Sequence, residues 1–415
     1  MEKYVVNGGK RLSGVVQVER AKNSVLPILA GALLTEEQVV IKKCPQIYDV
    51  VNMIEILRTL GVRVEFEGEN VVIDASGLNQ YEVKSEKVKE LRSSVYLFGA
   101  LLGKLKHAKM TYPGGCNIGL RPIDLHLKAF RELGVKIVEE GEFLNCEVDK
   151  TNGKEIYLDF PSVGATENII LLTVLSDGKT EIHNPAKEPE IVDLMNFLNS
   201  MGAKIYGAGT DIILIDGVKK LHGTEFLPMG DRIEAGTYLL AGAITGGDVE
   251  IHGVKSKNIS SLVHKLCDNT CKVNMKNDII YLKSGGRKKP FCLETGPFPF
   301  FPTDLQAQTM SLLAVCDGVS VVTENVFEMR FNHVPELIKM GADITVKGRS
   351  AFISGVKSLR GANVCAKDLR AGASLILAGL VAEGETIISN AYHIDRGYLH
   401  LDKKLTSLGA DVRKL

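Results

Sequence analysis

The segment NMIEILRTLGVRVEF, residues 52–66, decides the fold, because variants of it return along the whole chain. Its apolar spacing predicts an amphipathic helix that ends at a glycine and leads into a strand. The other copies are DLHLKAFRELGVKIV at 124–138, DLMNFLNSMGAKIYG at 193–207, LVHKLCDNTCKVNM at 262–275, HVPELIKMGADITV at 333–346 and KKLTSLGADVRKL at 403–415. The sequence therefore predicts six repeats of one helix-and-strand unit.

The helix of each copy ends at one recurring position, spaced 68 to 73 residues from the next. Its occupants are Gly61, Gly134, Gly202, Thr270, Gly341 and Gly409. A glycine closes a helix in the left-handed conformation, which other residues adopt less readily. We expect this conformation wherever the glycine is present, and Thr270 marks a degenerate copy.

A second segment recurs out of phase with the first. It is a polar lead followed by a helix that is apolar nearly all round, a turn and a strand. A helix apolar on every face belongs in a core, so each repeat is expected to hold one buried inner helix and one amphipathic outer helix. The inner helices are expected to begin at residues 22–23, 92–93, 162–164, 231–232, 303–304 and 368–370.

Three repeats are expected in each of two α/β domains, since 415 residues exceed what one hydrophobic core usually covers. The sixth repeat stops short of the strands that close the other repeats. Near the N-terminus, KYVVNGG and SGVVQVER supply a matching pair, so residues 1–20 are expected to complete the sixth repeat. The predicted domains are residues 21–229 and a discontinuous domain of residues 1–20 and 230–415.

Composition argues against several classes of protein. Fifty basic and fifty acidic residues cancel, and no basic, aromatic-interleaved run typical of nucleic-acid binders occurs. The first residues lack the apolar core of a signal peptide, and the apolar runs are shorter than the roughly 20 residues that span a bilayer. We therefore expect a cytoplasmic protein without nucleic-acid or membrane partners. Eight scattered cysteines predict reduced thiols, and Cys267 with Cys271 lacks zinc-site spacing, so no metal is expected.

Basic residues stand at the start of four inner helices. A helix N-terminus carries partial positive charge, so a cation is locally unfavourable there. Four such placements predict anion binding, in which side-chain cations and backbone N–H groups together hold a phosphate or a carboxylate. These residues are Lys22, Arg92, Arg232 and Arg370.

Other polar residues have two interpretations each. Ser162, Thr303 or Asp304 at a helix start either caps the helix or takes part in chemistry. The polar cluster at residues 393–398 is either a solvated loop or part of a site. The residues alone leave both alternatives open.

The Gly-rich loop at residues 113–119 carries Cys116, with Arg121 close behind it. Partial exposure beside an arginine is the setting of a reactive thiol, so Cys116 is the candidate reactive cysteine. The cysteines that instead suit the role of small buried apolar residues are Cys44, Cys146, Cys316 and Cys365.

Ten motifs, in order along essentially the whole chain, resemble those of the enolpyruvyl transferases. They lie at residues 21–23, 92–94, 113–124, 161–166, 188–193, 231–237, 302–308, 326–330 with 333–337, 368–370 and 393–398. Each is short, but ten at matching spacing are specific. The resemblance implies the family's α/β fold, two inside-out α/β domains of three repeated units each, which agrees with the count of repeats.

The resemblance also implies a reaction. The enolpyruvyl group of phosphoenolpyruvate would be transferred to the 3′-hydroxyl of UDP-N-acetylglucosamine through a tetrahedral ketal, with release of phosphate, in the first committed step of peptidoglycan synthesis. Cys116 would protonate C3 of phosphoenolpyruvate, and Asp304 would take the proton from the sugar hydroxyl. Lys22 and Arg396 would complete the catalytic set by holding phosphoenolpyruvate.

The substrate-binding residues follow from the same resemblance, which implies no cofactor, and we expect a monomer. Phosphoenolpyruvate would be held by Lys22, Arg121 and Arg396, with Arg92 and Arg370 nearby, and Asn23 is a further substrate-binding residue. The UDP-sugar would be lined by Arg121, Pro122, Ile123, Asp124, Leu125, Phe160, Pro161, Ser162, Val163, Asp304 and Val326.

Two alternatives stay open. A sister enzyme of the same architecture adds enolpyruvyl to shikimate 3-phosphate, but it lacks the Gly-Gly-Cys loop. A catalytically weakened nucleotide-sugar-binding paralogue would keep the fold. The family usually has a Ser-Gly pair where this chain has Glu19 and Arg20, and Phe300 and Met329 also depart from its pattern.

Overall fold

The computed structural model of the protein describes residues 2–84, 86–114, 118–119, 123–276, 278–285 and 288–415. These residues form two compact lobes. The first lobe lies within residues 20–116 and 121–229, and the second lies within residues 1–19, 117–120 and 230–415.

Inner helices form the centre of each lobe. Their apolar residues point in all directions and bury them, so that every residue of Arg232–Ile244 is inaccessible to solvent or nearly so. The 3₁₀ turns Arg92–Val95 and Thr303–Leu305 lead directly into two of these helices, and a third turn, Ala32–Leu34, follows another. In chain order the inner helices are Lys22–Gly31, Tyr96–Leu105, Val163–Thr173, Arg232–Ile244, Gln306–Leu313 and Leu369–Gly379.

Outer helices bury one face each and carry charged residues on the other. Their predicted positions are confirmed, and they are Tyr48–Thr59, Asp124–Glu132, Pro189–Ser200, Ser260–Asp268, Val334–Lys339 and Leu401–Ser407. Shorter helical segments are Lys87–Glu90, Ser256–Ile259 and Tyr392–Asp395.

The residue that closes each outer helix has left-handed backbone in all six repeats. The five glycines predicted there have φ between 89° and 97°. Thr270 has φ of 78°, although its β-branched side chain disfavours this conformation. The degenerate copy therefore keeps the turn and bears its strain.

The repeats share one sheet topology. Each four-stranded sheet has a parallel pair at one edge and antiparallel pairs beyond it. From the parallel edge, the first-lobe sheets are Thr224–Phe226, Val39–Ile41, Asn70–Asp74, Arg63–Glu67; then Glu82–Val83, His107–Thr111, Phe143–Glu147, Lys136–Glu140; then Glu155–Tyr157, Lys179–His183, Ile212–Asp216, Lys204–Tyr206.

The second-lobe sheets follow the same order. They are Ser13–Gln17, Asp248–His252, Ile279–Lys283, Lys272–Lys276; then Leu293–Glu294, Val319–Thr323, Ser350–Ser354, Asp343–Lys347; then Asn363–Cys365, Glu385–Ser389, Lys3–Asn7, Asp411–Lys414. A small parallel pair joins Leu359–Arg360 to Ala382–Glu383.

The N-terminal strands correct one prediction. Lys3–Asn7 completes the sheet of the sixth repeat, as expected, but Ser13–Gln17 pairs in parallel with Asp248–His252 of the fourth repeat. The first lobe does the same, since Thr224–Phe226 crosses to the first repeat's sheet. Two parallel neighbouring strands need a long connection and cannot be joined by a tight turn. The parallel edge strand of each sheet comes from the preceding repeat, and the last repeat of a lobe supplies the edge strand of the first. The three repeats of each lobe therefore close into a ring.

Within the described ranges, no helix is both long enough and apolar enough to cross a membrane. The same residues contain no group of three or more acidic, histidine or cysteine side chains arranged to hold a metal ion.

Candidate active site

Asp304 lies in the 3₁₀ turn that starts the fifth inner helix, and two guanidinium groups hold its carboxylate. Arg330 donates from Nη2 to Oδ1, and Arg370 donates from Nη2 to Oδ2 at 2.9 Å. Both arginine side chains are 4% exposed, whereas the Asp304 side chain is 26% exposed. The turn has no side-chain cap, so the capping interpretation of Asp304 is wrong and the carboxylate is an ion-paired group open to solvent.

The electrostatics of this pair favour a fixed carboxylate. Burial alone would lower the pKa of Arg370, but attraction by the Asp304 carboxylate outweighs burial, and the net effect raises it. Arg370 therefore stays charged, and its planar fork fixes the direction of the carboxylate.

Glu324 ties the Asp304 turn to a second segment. Its Oε2 accepts the Thr303 hydroxyl at 3.0 Å, and its Oε1 accepts the backbone N–H groups of Val326 and Phe327 at 2.8 and 3.1 Å. One buried carboxylate thus holds Val326 and the turn of Asp304 in a common framework.

The cluster at residues 393–398 is not a solvated loop. It overlaps the short helix Tyr392–Asp395, and Arg396 and Tyr398 are 9% and 2% exposed. Burial, with a further contribution from the charge of Arg396, lowers the pKa of His393. Arg396 and Tyr398 therefore belong to the interior of the second lobe, and Tyr398 contacts Arg370 at the start of the sixth inner helix.

Lys22 is the first residue of the first inner helix, as predicted. Its Nζ lies 3.1 Å from Oδ2 of Asp49, with side-chain exposures of 15% and 4%. Asn23 follows it and is half-buried. Asp49, which stands in the first turn of an outer helix, was missed by sequence reasoning as the partner of this cation.

Arg92 starts the turn before the second inner helix and donates from Nη1 to the Pro113 carbonyl at 3.1 Å. His126 lies within reach of its charge. Burial, and then the charge of Arg92, lower the pKa of His126 to about 3, so this imidazole is neutral at ordinary pH. Nδ1 of His126 shares a hydrogen bond with the Asn168 amide at 2.9 Å.

The predicted UDP-sugar residues of the first lobe begin two helices. Ile123 is buried, Asp124 is exposed and Leu125 is half-buried. Asp124 starts an outer helix. Ser162 caps the third inner helix by accepting the Ala165 N–H at 3.3 Å, so its capping interpretation is confirmed.

The two helix starts lie close together. A Cβ added at Gly164 would come within 2.9 Å of the His126 ring, so the helices that begin at Asp124 and Val163 touch just behind these starts. Around Ser162, Phe160 is exposed, and Pro161 and Val163 are half-buried.

Cys116, Arg121 and Pro122 lie outside the described residues. Among the cysteines expected to be buried, Cys44, Cys146 and Cys316 are buried, and burial raises their pKa values to about 12, 12 and 11. Cys365 is only half-buried, which corrects that prediction: its sulfur accepts from the Asn390 amide at 3.1 Å near the surface.

Glu19 and Arg20, which depart from the family pattern, each have a partner in their own lobe. Oε1 of Glu19 lies 2.7 Å from Nζ of Lys404, which also lies 2.8 Å from Oε1 of Glu234. Nη1 of Arg20 donates to the Pro228 carbonyl at 3.2 Å. Burial raises the pKa of Glu234 to about 7, although Lys404 opposes the effect.

Contacts bring together Asp304, Thr303, Val326 and Arg370 in the second lobe. Sequence reasoning missed Arg330 and Glu324 as the groups that hold them. Arg330 stood inside the motif at residues 326–330, and its position near Asp304 depends on tertiary packing that no local pattern reveals.

Comparison with known proteins gives a consistent family. Residues 6–405 match the family model described as EPSP synthase (3-phosphoshikimate 1-carboxyvinyltransferase). The chain is 50% identical to UDP-N-acetylglucosamine 1-carboxyvinyltransferase 2 of Caldanaerobacter subterraneus subsp. tengcongensis and 49% identical to the protein of that name from Carboxydothermus hydrogenoformans. Both matches cover all of this chain and all of the relative.

Solved structures have the same fold. The enolpyruvyl transferase NikO from Streptomyces tendae has a TM-score of 0.88 at 26% identity, covering 100% of this chain and 98% of that one. An EPSP synthase from Acinetobacter baumannii has a TM-score of 0.76 at 18% identity, covering both chains fully, and shows the fold alone. The predicted fold class is confirmed, and the chain belongs to the enolpyruvyl transferase family of EPSP synthase and UDP-N-acetylglucosamine 1-carboxyvinyltransferase.

Proposed function

We propose that the protein transfers the enolpyruvyl group of phosphoenolpyruvate to the 3′-hydroxyl of UDP-N-acetylglucosamine and releases phosphate. The observation that carries the proposal is the Asp304 carboxylate, partly exposed and fixed by the buried Arg330 and Arg370. The names of full-length relatives near 50% identity support the choice of acceptor.

Asp304 is the proposed base. A carboxylate that approaches a sugar hydroxyl can take its proton while the oxygen attacks C2 of phosphoenolpyruvate. Its two ion pairs hold it in one direction, so no reorientation is needed when the hydroxyl arrives. Its negative charge also stabilises the oxocarbenium character that develops at C2.

Cations are the proposed ligands of phosphoenolpyruvate, which is a small, multiply charged anion. Lys22, Arg92, Arg121, Arg370 and Arg396 fill this role. Lys22 and Arg92 stand at inner-helix starts, where N–H groups add to their attraction for an anion. Cys116 is the proposed acid that protonates C3.

The remaining assignments follow the sequence. Ile123, Asp124 and Leu125, with residues 160–163 and 326, would line the UDP-sugar, together with Pro122 and Asn23. We propose that residues 21–229 form one domain and that residues 1–20 with 230–415 form the other, a division that the two compact lobes support. A monomer in the cytoplasm stays a prediction.

Phosphate release tests the proposal. Purified protein is assayed with phosphoenolpyruvate alone, with UDP-N-acetylglucosamine added, and with shikimate 3-phosphate added instead. We expect release only with the nucleotide sugar. Release only with shikimate 3-phosphate would select the sister activity, and nucleotide-sugar binding without release would select a non-catalytic paralogue.

A further inference from the structure

A buried hydrogen-bond cluster lies beneath Asp304 and links all three inner helices of the second lobe. Thr237, Gln308 and Arg370 come from the three helices, and the Tyr398 hydroxyl meets all of them. Its oxygen lies 2.8 Å from Oγ1 of Thr237, 3.3 Å from Nε2 of Gln308 and 3.2 Å from Nη1 of Arg370. Tyr398 is therefore the common partner of helices that start at the proposed site.

The contacts of the Thr237 hydroxyl favour one order of donors and acceptors. The Thr237 hydroxyl has one hydrogen, which it donates to the Ile233 carbonyl at 2.9 Å. We therefore assign Tyr398 as the donor to Thr237, which leaves the Tyr398 oxygen to accept from Arg370 and Gln308. Nε2 of Gln308 also lies 3.3 Å from Oγ1 of Thr237. Burial raises the pKa of Tyr398, although Arg370 opposes the effect, so the hydroxyl keeps the proton that this order requires.

Both the side chain and the backbone of Asp304 depend on this order. Arg370 uses Nη1 for Tyr398 and Nη2 for the Asp304 carboxylate. Gln308, which also donates to Tyr398, donates from the same nitrogen to the Asp304 carbonyl at 2.9 Å. A shift of the Tyr398 hydroxyl would therefore loosen two of the contacts that orient Asp304.

We propose that Tyr398 is a positioning residue for the reaction, acting chiefly through Arg370 on the direction of the Asp304 carboxylate. The proposal rests on the function proposed above. Tyr398 is 2% exposed, so its hydroxyl is expected to act through its buried partners, on the rate of the bound complex rather than on affinity for the nucleotide sugar.

The test is Tyr398→Phe, which removes the hydroxyl and keeps the ring that lies 5.6 Å from the Arg370 guanidinium. We expect kcat for phosphate release to fall about tenfold, a change of about 1.4 kcal/mol in the activation barrier, while KM for UDP-N-acetylglucosamine stays within about twofold. An unchanged kcat, or a loss confined to KM, would overturn the proposal.

Tyr238→Phe is the matched control. Tyr238 is also fully buried, adjoins Thr237 in the same helix, and donates to Oε1 of Glu234 at 3.1 Å instead of to the Asp304 cluster. Loss of its hydroxyl is expected to leave kcat unchanged. An equal fall in kcat for both tyrosine variants would show a general effect of buried hydroxyls and contradict a specific role for Tyr398.

Arg370→Lys, combined with Tyr398→Phe, tests whether the effect of Tyr398 on kcat passes through Arg370. A lysine cannot hold Tyr398 and Asp304 at once through a planar fork, so adding Tyr398→Phe to Arg370→Lys is expected to lower kcat by less than twofold further. A full tenfold further loss would show that Tyr398 acts independently of Arg370 and would overturn the proposal.

A second variant keeps the proposal testable if Tyr398→Phe fails to fold. Thr237→Val removes the acceptor of the Tyr398 hydroxyl at nearly constant volume, and we expect it to lower kcat at unchanged KM for the nucleotide sugar. No fall in kcat would contradict the assigned order. Absence of phosphate release by the unaltered protein would count against the proposed function itself and is distinguishable from every result above.

Discussion

Arg92 and Asp304 occupy comparable places in the two lobes but carry opposite charges. Each lies in a 3₁₀ turn that leads into an inner helix, Arg92–Val95 before Tyr96–Leu105 and Thr303–Leu305 before Gln306–Leu313. Neither turn is closed by a side-chain cap. The same backbone motif therefore presents a cation in one lobe and a carboxylate in the other.

Their surroundings explain the difference. Arg92 donates to the neutral carbonyl of Pro113, near His126, whose burial keeps it uncharged. Asp304 instead meets two buried guanidinium groups, those of Arg330 and Arg370. The repeat therefore supplies the position, while the elements packed beside each helix start decide which charge that position can hold.

Asp304→Ala should have the largest effect. Loss of a general base lowers the rate by about 100- to 10,000-fold, so we expect kcat for phosphate release to fall about 1,000-fold while UDP-N-acetylglucosamine binding, measured by calorimetry, largely survives. Asp317→Ala is the control, because Asp317 is exposed beyond the far end of the same helix. Retained turnover in Asp304→Ala would contradict the assignment of Asp304 as the base.

The pH dependence of stability tests whether burial in the second lobe disfavours the charged form of Glu234. Its pKa is raised from 4.5 to about 7, so the folded protein keeps a proton that the unfolded chain loses between these values. This contribution to stability is complete below about pH 4.5 and is lost as pH rises to about 7, by about 3 kcal/mol.

Urea unfolding across that pH range measures the effect. Glu234→Gln cannot titrate, so the free energy of unfolding should fall less steeply with pH in the variant than in the unaltered protein. Parallel pH profiles for the two proteins would contradict the expected protonation of Glu234. His126 is expected to act oppositely, since its lowered pKa makes stability fall as pH drops below about 6.5.

Arg92→Ala should separate the two substrates. A charge-assisted hydrogen bond is worth about 1.5–3 kcal/mol, so KM for phosphoenolpyruvate should rise at least about tenfold, with KM for the nucleotide sugar nearly unchanged. Lys104→Ala removes a cation from the far end of the same helix, where it pairs with exposed Glu36 at 3.0 Å, and should change neither KM. Equal effects of the two variants on KM for phosphoenolpyruvate would contradict a specific role of Arg92 in binding it.

Thr270→Gly should have the smallest effect and concerns another contrast between the lobes. All outer helices of the first lobe end at glycine, whereas one in the second ends at the left-handed Thr270. We expect Thr270→Gly to raise the free energy of unfolding by about 1 kcal/mol. Gly341→Thr should lower it by a similar amount, because a Cβ there meets nothing within 4 Å and adds only backbone strain. Thermal melts that show no opposite shifts would contradict this reading.

Local patterns predicted much of this fold. The repeats, both helix types and the glycine-closed turns depend on periodicity and on single-residue conformational preferences, and the structure confirms them. The predicted place of Ser13–Gln17 in the sixth repeat was wrong, because the pattern of a strand shows which face is buried and not which strand it pairs with.

The site was less accessible to sequence reasoning. Its residue types followed from helix starts and the family resemblance, but the ion pairs of Asp304 join residues 26 and 66 positions apart. The Tyr398 cluster needs three helices to pack before any of its contacts exists. Such contacts depend on tertiary packing, and no spacing in the sequence encodes them.

Product identification tests the proposed transfer of an enolpyruvyl group to the nucleotide sugar. The unaltered protein is incubated with phosphoenolpyruvate and UDP-N-acetylglucosamine, and the mixture is followed by phosphorus NMR and mass spectrometry. We expect phosphoenolpyruvate to be consumed one for one with the appearance of inorganic phosphate and of a UDP-sugar heavier by one enolpyruvyl group, and Asp304→Ala to form both products about 1,000-fold more slowly. Phosphate that appears without the heavier UDP-sugar, or no consumption at all, would contradict the proposed transfer.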